Sequence, residues 1–311
     1  MNKKINIDKK VYIRIIALIA ILVAIALIFI IWGAKIFDYK HLLVFELNED
    51  CDSYSVTRLS RTTVFNAIFY SVGQSFGFER TLTIPSTYKN LPVTNISAGA
   101  FSDQSSDLRD KKWYLDRVVI PNSIINIEDG AFSGQSALVS VDFAPDSQLK
   151  FIGDRAFSGC KDLTNITIPN SIYSIGEGVF SRCTSLTSIN VNPITDIDTK
   201  DQYYKSIDGN LYFCRKNENS YTVKVTLIQY AIGKEDSTFT IPNDVNQIEK
   251  GAFSGCTSLT SVIFTGPNGW KVKNKPEDNG GQNIPYTDLE DPATAAEYLT
   301  KTYADKYWYN N

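Results

Sequence analysis

Apolar side chains recur along most of the chain in a pattern that repeats every 23 to 25 residues. Four segments align on this pattern, at 118–143, 144–168, 169–191 and 240–264, and a degenerate copy covers 83–101. The last two copies lie much farther apart than the others, so an insertion precedes the final one. Each copy carries one marker phenylalanine, and the five are Phe101, Phe132, Phe157, Phe180 and Phe253.

Within each copy the apolar positions predict a short strand followed by a second inward-facing segment. Leu163, Ile166 and Ile168 have the spacing L-x-x-L-x-L, which places alternate residues of a strand on one buried face. The proline that follows ends the strand, because proline cannot donate to a sheet hydrogen bond. Ile172 and Ile175 then form a second apolar stripe. One such coil cannot bury its apolar stripe alone, so the copies are predicted to stack into a solenoid.

The consensus of these copies, IPxSxxxIGxxAFSGCxxLTxIxI, resembles the bacterial BspA-type leucine-rich repeat, over 83–191 and 239–264. We therefore expect an α/β repeat fold, a short leucine-rich-repeat solenoid over 83–265. Residues 43–59 resemble the β-rich opening of such proteins, and 192–238 resemble the β-hairpin island that often interrupts them. The resemblance implies a surface-displayed protein that binds macromolecular partners or mediates adhesion, without catalytic residues.

The island at 192–238 has a strand pattern of its own. An Asp208-Gly209 turn separates two apolar-aromatic runs and predicts a β-hairpin, and the alternation over 222–230 predicts another strand. We expect a small sheet that projects from the solenoid or packs onto it. Its tyrosines form a candidate aromatic patch, because tyrosine is favoured at interfaces, unless half of them cover the hairpin's own apolar face. The tyrosines are Tyr203, Tyr204, Tyr212, Tyr221 and Tyr230.

The N-terminal part of the chain contains an uncharged apolar run without a polar face. It extends from Ile15 to Gly33, and at ~1.5 Å per residue it covers about 28 Å, close to the hydrocarbon thickness of a bilayer. We predict a transmembrane signal-anchor helix over 11–34, with a cleaved signal peptide as the alternative. Flanking basic residues predict a cytoplasmic tail at 1–10 and an extracellular repeat domain, hence a single-pass membrane protein. A juxtamembrane segment and β-rich N-terminal cap are predicted for 35–82.

The C-terminal residues predict a helix that covers the end of the solenoid. Asp291 is the expected N-cap and Pro292 the first helical residue. We assign a helical cap to 291–311, since the exposed core of a last coil needs a cover. Residues 266–290, which are rich in Gly, Pro, Asn and charge, are predicted to form a loop. The apolar stripe of the predicted helix is Ala296, Leu299, Tyr303 and Tyr307.

The histidine count and the charge distribution exclude several classes of function. His41 is the single histidine and lies close behind the apolar run, which excludes a His-based zinc site or a Ser/His/Asp triad elsewhere. We expect neither enzymatic activity nor a cofactor. Residues 36–311 hold 25 basic and 33 acidic residues, a net charge of −8. An acidic body argues against a nucleic-acid partner, because binding to phosphates needs a basic face.

The outward positions of the predicted repeat strands form a candidate partner-binding face. Its side chains are mainly hydroxyls and amides, which can hydrogen-bond a protein or glycan ligand at the cell surface. The face lacks the aromatic anchors that usually carry binding energy, and stacked threonines are also ordinary strand residues. The candidate residues are Arg117, Ser140, Asp142, Asn165, Thr167, Ser188, Asn190 and Ser261.

Acidic residues and cysteines each recur at one position of the repeat. Asp129, Asp154 and Glu177 are expected to stack at roughly 5 Å, the distance between strands. Stacked carboxylates either bind a cation or stay solvated, and the nearby Arg155 and Lys250 favour solvation, so we expect no metal. The recurring cysteines are predicted to be buried thiols rather than a disulfide. They are Cys160, Cys183 and Cys256.

The sequence thus predicts a membrane-anchored extracellular leucine-rich-repeat protein that binds macromolecular partners, in adhesion or another cell-surface interaction. The alternative is a structural cell-envelope scaffold, or a partner subunit of a membrane complex, which contacts neighbours in its own membrane. Protease accessibility on whole cells together with capture of host matrix distinguishes the two hypotheses.

Overall fold

The computed structural model describes residues 43–59, 79–103, 114–194, 200–217, 222–266, 269–278 and 280–310. Over these residues the chain coils into a β-solenoid, in which short parallel strands from successive coils pair with one another and helices are few. Buried side chains form one apolar core from the N-terminal strands through the first repeats to Leu211, and a second one in the rest of the island, the final repeat and the C-terminal elements. The predicted repeat solenoid is confirmed, but the expected α/β class is corrected to a β-solenoid, because the coils return through turns and two-residue strands and the described helices lie only after residue 285.

The secondary structure consists mainly of strands of two to seven residues. In chain order they are β1 Leu43–Leu47, β2 Tyr54–Leu59, β3 Thr81–Thr83, β4 Thr87–Tyr88, β5 Leu91–Ile96, β6 Arg117–Ile120, β7 Asn126–Ile127, β8 Ser140–Phe143, β9 Phe151–Ile152, β10 Asn165–Ile168, β11 Ser174–Ile175, β12 Ser188–Val191, β13 Gln202–Ile207, β14 Asn210–Lys216, β15 Val223–Gln229, β16 Thr238–Ile241, β17 Val245–Ile248, β18 Ser261–Phe264, β19 Trp270–Lys273, β20 Gln282–Asn283 and β21 Tyr307–Asn310. The helices are α1 Tyr286–Glu290 and α2 Pro292–Glu297, followed by a π-helical turn at Tyr298–Thr302.

The first face of the solenoid is built from the strands that the leucine spacing predicts. β3, β6 and β8 form one parallel sheet, while β10 pairs with β12 and β16 pairs with β18, also in parallel. In β10, Ile166 and Ile168 are buried, whereas Asn165 and Thr167 are exposed. This alternation directs every second side chain into the core and leaves the others on the outer surface.

The second face begins with an antiparallel hairpin and continues with two-residue strands. β1 pairs with β2, β2 pairs in parallel with β5, and the sheet extends through β7, β9 and β11. Ile127 and Ile152, at the ends of β7 and β9, are fully buried. The β-rich opening therefore covers the strand edge of the first repeat, where unpaired backbone groups would otherwise be exposed.

The marker phenylalanines stack in a column inside the solenoid. Ring centroids are 5.1 Å apart between Phe101 and Phe132, 5.3 Å between Phe132 and Phe157, and 5.9 Å between Phe157 and Phe180. All of these rings are buried. Offset aromatic stacking adds to the stabilisation that comes from removing the rings from water. The column explains why one bulky aromatic recurs at one position of each coil.

The recurring cysteines satisfy backbone carbonyls of the neighbouring coil. The Sγ atoms of Cys160 and Cys183 donate to the carbonyl of the marker phenylalanine in the preceding coil, at 3.4 and 3.1 Å. Gln135 makes the same contact one coil earlier, at 2.6 Å. These cysteines and Cys256 are buried free thiols, as predicted. Burial raises the pKa of the Cys183 thiol to about 12, so it stays protonated and able to donate.

The island forms a three-stranded β-meander, which takes the position of a coil in the stack. β13, β14 and β15 are antiparallel, and the predicted Asp208-Gly209 turn joins the first two with both residues at positive φ. β15 then pairs in parallel with β17 of the final repeat. The expectation of a sheet that projects from the solenoid or packs onto it is therefore corrected, since pairing of β15 with β17 makes the island and the final repeat parts of one sheet.

The island also continues the phenylalanine column. Tyr230 is buried and stacks on Phe253 with a centroid separation of 5.3 Å. Its backbone N–H donates to the carbonyl of Ala252, as the N–H of Phe132 donates to that of Ala156 in the regular coils. Tyr230 therefore takes the place of a marker phenylalanine next to the final repeat.

The C-terminal residues form two short helices and a strand rather than one long helix. Asp291 caps α2 as predicted, because its carboxylate accepts from the backbone N–H of Ala293 and Thr294 at 3.4 and 3.2 Å. The helical stripe does not reach Tyr307, which lies in β21 between β17 and β19. This edge of β17 needs a paired strand, and β21 supplies it. The predicted loop over 266–290 likewise contains β19, β20 and α1.

Across residues 43–59 and the further ranges described up to 310, no helix has the length and apolarity needed to cross a bilayer. The transmembrane helix predicted for 11–34, with the tail at 1–10, lies outside the described residues.

Candidate binding surfaces

The outward strand face is present, with its side chains mounted on paired strands. In the register of the sheets, Arg117 lies beside Ser140, and Asn165 beside Ser188. All eight predicted positions are exposed or half-buried. Seven of them form a surface over β6, β8, β10 and β12, and the members of this strand face are Arg117, Ser140, Asp142, Asn165, Thr167, Ser188 and Asn190.

An ion pair lies at one end of this strand face. The Nε of Arg117 donates to Oδ2 of Asp142 at 2.5 Å, and both side chains remain more than two-fifths exposed. The hydrogen bond and the charge of Asp142 raise the pKa of the Arg117 guanidinium. Exposed pairs of this kind contribute little to stability, but they fix the orientation of two charged groups on the surface.

Ser261 does not belong to the same surface as the other seven residues. It lies in β18, which pairs with β16 beyond the island. The Asp208-Gly209 turn packs against β12, where the N–H of Ile189 donates to the carbonyl of Gly209 at 2.8 Å. The prediction that placed Ser261 with the other outward residues is therefore corrected, because the island turn separates the two groups of strands.

Asp129 and Asp154 in the acidic column are exposed, as expected, and each also accepts a hydrogen bond from the backbone. Oδ1 of Asp129 accepts from the N–H of Asp154, and Oδ1 of Asp154 accepts from the N–H of Glu177, both at 2.8 Å. These two carboxylates thus each satisfy a backbone N–H of the next coil, at a corner where the described strands do not reach it. Among the described residues, no group of three or more His, Cys, Asp or Glu side chains is arranged to hold a metal ion.

Glycines immediately before the acidic positions make room for this carboxylate ladder. A Cβ on Gly153 would lie 2.3 Å from Oδ1 of Asp129, and one on Gly176 would lie 2.4 Å from Oδ1 of Asp154. The Gly-Asp and Gly-Glu pairs in the repeat consensus therefore act together. The repeat spacing revealed the acids, whereas their backbone partners were missed, although the glycine before each acid was the available signal.

The island tyrosines do not form the predicted surface patch. Tyr204, Tyr212 and Tyr230 are buried, Tyr203 is half-buried, and Tyr221 lies outside the described residues. The hydroxyl of Tyr204 accepts from the backbone N–H of Ile175 at 2.9 Å, and this bond links β13 to β11. Burial raises the pKa of Tyr204 to about 12. The patch is corrected because the island is part of the core and needs these rings to fill it.

A groove between the second face and the island was not predicted. Its volume is about 1300 Å³. The floor includes Lys150, Phe151 and Tyr173, from β9 and the segment before β11, and the wall includes Lys200 and Arg215 of the island. The sequence signal was the pair of aromatic residues at outward positions of two consecutive repeats. The groove was missed because the island forms one of its sides, and the sequence did not show where the island lies.

Hydrogen bonds join the floor of this groove to its wall. Nε2 of Gln202 donates to the carbonyl of Tyr173 at 3.2 Å, and Nζ of Lys200 donates to the carbonyl of Asn170 at 3.0 Å. Pairing of β15 with β17 begins at Val225, so the end of the β14–β15 hairpin extends past that pairing and forms the wall. The groove is therefore shaped by backbone pairing and not by side chains alone.

Comparison with known proteins identifies the repeat. The family model described as BspA type Leucine rich repeat region matches residues 94–219 and 233–271 in six copies, slightly more than half of the chain. No curated protein matches the chain significantly.

Several solved structures of bacterial leucine-rich-repeat proteins are similar. The Treponema pallidum leucine-rich-repeat protein TpLRR is 22% identical, with 72% of this chain and 69% of that chain covered and a TM-score of 0.39. A leucine-rich-repeat protein from Eubacterium ventriosum is 19% identical, with 72% and 58% covered and a TM-score of 0.41. The pneumococcal vaccine antigen PcpA is 18% identical, with 72% and 63% covered and a TM-score of 0.41. These likenesses are weak, so the assignment rests on the repeat model, and by that model the chain belongs to the BspA-type leucine-rich-repeat family.

Proposed function

We propose that the chain is a membrane-anchored extracellular protein that binds macromolecular partners through its repeat domain, in adhesion or another cell-surface interaction. A non-enzymatic role fits a repeat scaffold whose acids and thiols are occupied in backbone hydrogen bonds. The apolar run at 11–34 and the basic residues before it support an anchor with the repeat domain outside the cell.

The observation that carries this proposal is the strand face defined above. Asn165, Thr167 and Asn190 are exposed on β10 and β12, whose pairing fixes their spacing along and across the strands. Side chains held on paired strands lose little further backbone freedom when a partner binds, which lowers the entropic cost of association. A partner that covers several strands can therefore use many modest polar contacts.

The test uses cells that express the full chain. Externally added protease is expected to release the repeat domain, and intact cells are expected to capture host matrix proteins. The double variant Thr167→Arg with Asn190→Arg puts two bulky charges on the strand face and is expected to reduce capture by about tenfold or more. The matched control is Thr287→Arg with Asn283→Arg, at exposed positions on α1 and β20.

Two results would count against the proposal. If the repeat domain is protected from protease and co-purifies only with envelope proteins, the envelope-scaffold alternative is correct. If the strand-face double variant captures matrix as well as its control does, the strand face is not the contact surface.

A further inference from the structure

The groove is lined by the coils on one side and by the island on the other, whereas the strand face is a single surface. Phe151 and Tyr173 lie on the floor, and their rings meet edge to face with centroids 5.8 Å apart. Arg215 and Val223 lie on the wall, beyond the point where β15 pairs with β17. A concave surface with convergent side chains from two elements is the usual form of a recognition site.

The apolar side chains of the groove are unusually exposed. Phe151 is 45% exposed, Tyr173 58% and Val223 37%, whereas the aromatic marker residues in the core are fully buried. These three side chains contribute little to the solenoid core in this arrangement. A cluster of exposed apolar side chains with polar neighbours is typical of a surface that a partner covers.

The described lining of the groove has a net positive charge, although residues 36–311 as a whole have a net negative charge. Among the described residues, its lining has four cationic side chains, Lys150, Lys200, Arg215 and Lys216, against one carboxylate, Asp201. Residues 36–311 have a net charge of −8, so this concentration of positive charge is local. Within the described part of the chain, no ion pair neutralises Lys150, Lys200 or Arg215. Such a groove attracts an anionic ligand and repels a cationic one.

We infer that this groove binds an acidic segment of a protein partner, one that carries aromatic or aliphatic residues between its carboxylates. The inference rests on the proposed binding function and assigns it a partner class. Arginine and tyrosine are enriched among the residues that carry most of the binding energy of protein–protein contacts. Val223 lines the same groove as the two rings, and these apolar side chains suit Leu, Ile or Tyr side chains of a partner, while the cations on the floor and the wall suit its carboxylates.

The inference is tested with the full chain, purified in mild detergent, and random copolymers of known composition. Fluorescent poly(Glu,Tyr) presents carboxylates and aromatic rings together, and poly(Lys,Tyr) presents the same rings with the opposite charge. Fluorescence anisotropy is expected to show saturable binding of poly(Glu,Tyr), weaker at high salt, and none of poly(Lys,Tyr). Hyaluronan, an acidic glycan, is the third probe and is expected not to compete.

Two variants at exposed positions locate the binding in the groove. Arg215→Glu reverses one charge of the wall and Tyr173→Ser removes one ring of the floor, and each is expected to weaken poly(Glu,Tyr) binding by about tenfold. The matched controls are Lys301→Glu and Tyr286→Ser, which change an exposed cation and an exposed tyrosine outside the groove. These controls are expected to bind as the unmodified chain does.

Equal binding by the groove variants and their controls would overturn the inference, as would competition by hyaluronan at a lower concentration than poly(Glu,Tyr). Neither result bears on whether the strand face captures matrix proteins on whole cells. Failure of the groove inference and failure of the proposed function are therefore distinguishable.

Discussion

At the scale of single residues, the acidic column depends on the absence of a side chain next to it. Asp129 reaches the backbone of the next coil only because position 153 is glycine. The repeat spacing was enough to predict that Asp129 and Asp154 stack. Their role as acceptors was missed, because it depends on which backbone N–H groups stay unpaired where the chain turns a corner, and the recurring glycine was its sign in the sequence.

Replacing Gly153 with alanine is expected to destabilise the solenoid. The new Cβ would meet Oδ1 of Asp129 at 2.3 Å and the backbone nitrogen of the same residue at 2.6 Å, so backbone as well as side chain must move. We expect the free energy of unfolding to fall by about 1–3 kcal/mol, the usual cost of overpacking. Urea unfolding followed by tryptophan fluorescence measures this loss.

Gly266 provides the control for this substitution. A Cβ at that position has no atom within 4 Å, so Gly266→Ala is expected to leave the urea midpoint nearly unchanged. A Gly153→Ala variant as stable as Gly266→Ala would show that the carboxylate ladder tolerates the methyl group.

At the scale of secondary structure elements, the sequence predicted strands and turns better than their places in the stack. Turn chemistry correctly located the hairpin at Asp208-Gly209, because few residue pairs accept two successive positive φ angles. The same reasoning did not show that Tyr230 completes the phenylalanine column, since the match depends on contact with Phe253 in another coil. Local patterns define elements, whereas contacts distant in sequence define their positions.

Tyr230 offers a direct test of the idea that the island replaces a coil. Its hydroxyl is buried and has no hydrogen-bond partner among the described residues, while regular coils carry phenylalanine at this position. We expect Tyr230→Phe to keep or raise the stability, because it removes a buried polar group that costs about 1–3 kcal/mol when unsatisfied. Tyr230→Ala is expected to cost about 3–5 kcal/mol through loss of the buried ring.

Thermal unfolding of the full chain, followed by circular dichroism, compares the two Tyr230 variants. A melting temperature of Tyr230→Phe close to that of Tyr230→Ala would mean that the hydroxyl has an essential role, and the equivalence with the marker phenylalanines would then be rejected.

At the scale of the whole molecule, a surface made by one repeated element could be predicted from the sequence. A surface made jointly by the repeats and the island could not. The strand face follows from the alternation in each repeat, and Asn165 and Asn190 lie where the period places them. Tyr173 and Arg215 line the same groove, and the pairing of β15 with β17 positions the island for this. That pairing has no signature in the local sequence.

A charged cluster likewise connects parts of the molecule that are far apart in sequence. Nζ of Lys250 lies 3.8 Å from Glu177, and the hydroxyl of Tyr307 in the C-terminal strand donates to the same carboxylate. Glu249 is half-buried beside them, at the repeat position that is glycine in two earlier coils. Burial, followed by the negative charge of Glu177, raises the pKa of Glu249 to about 7, and Asp154 adds to this rise, whereas the backbone hydrogen bond and the charge of Lys250 oppose it.

This raised pKa predicts that the stability of the molecule falls between weakly acidic and weakly basic pH. The folded state favours protonated Glu249, so its contribution is full below the ordinary pKa of 4.5 and is lost as the pH rises through about 7. Because the group is partly exposed, we expect a loss of only about 2 kcal/mol between pH 5 and pH 8. Urea unfolding at both pH values measures it, with Glu249→Gln as the control, since a neutral amide cannot ionise. An equal loss of stability in the two proteins would assign the pH dependence to other groups. The cluster would then connect the repeats to the C-terminal strand without contributing to the pH dependence.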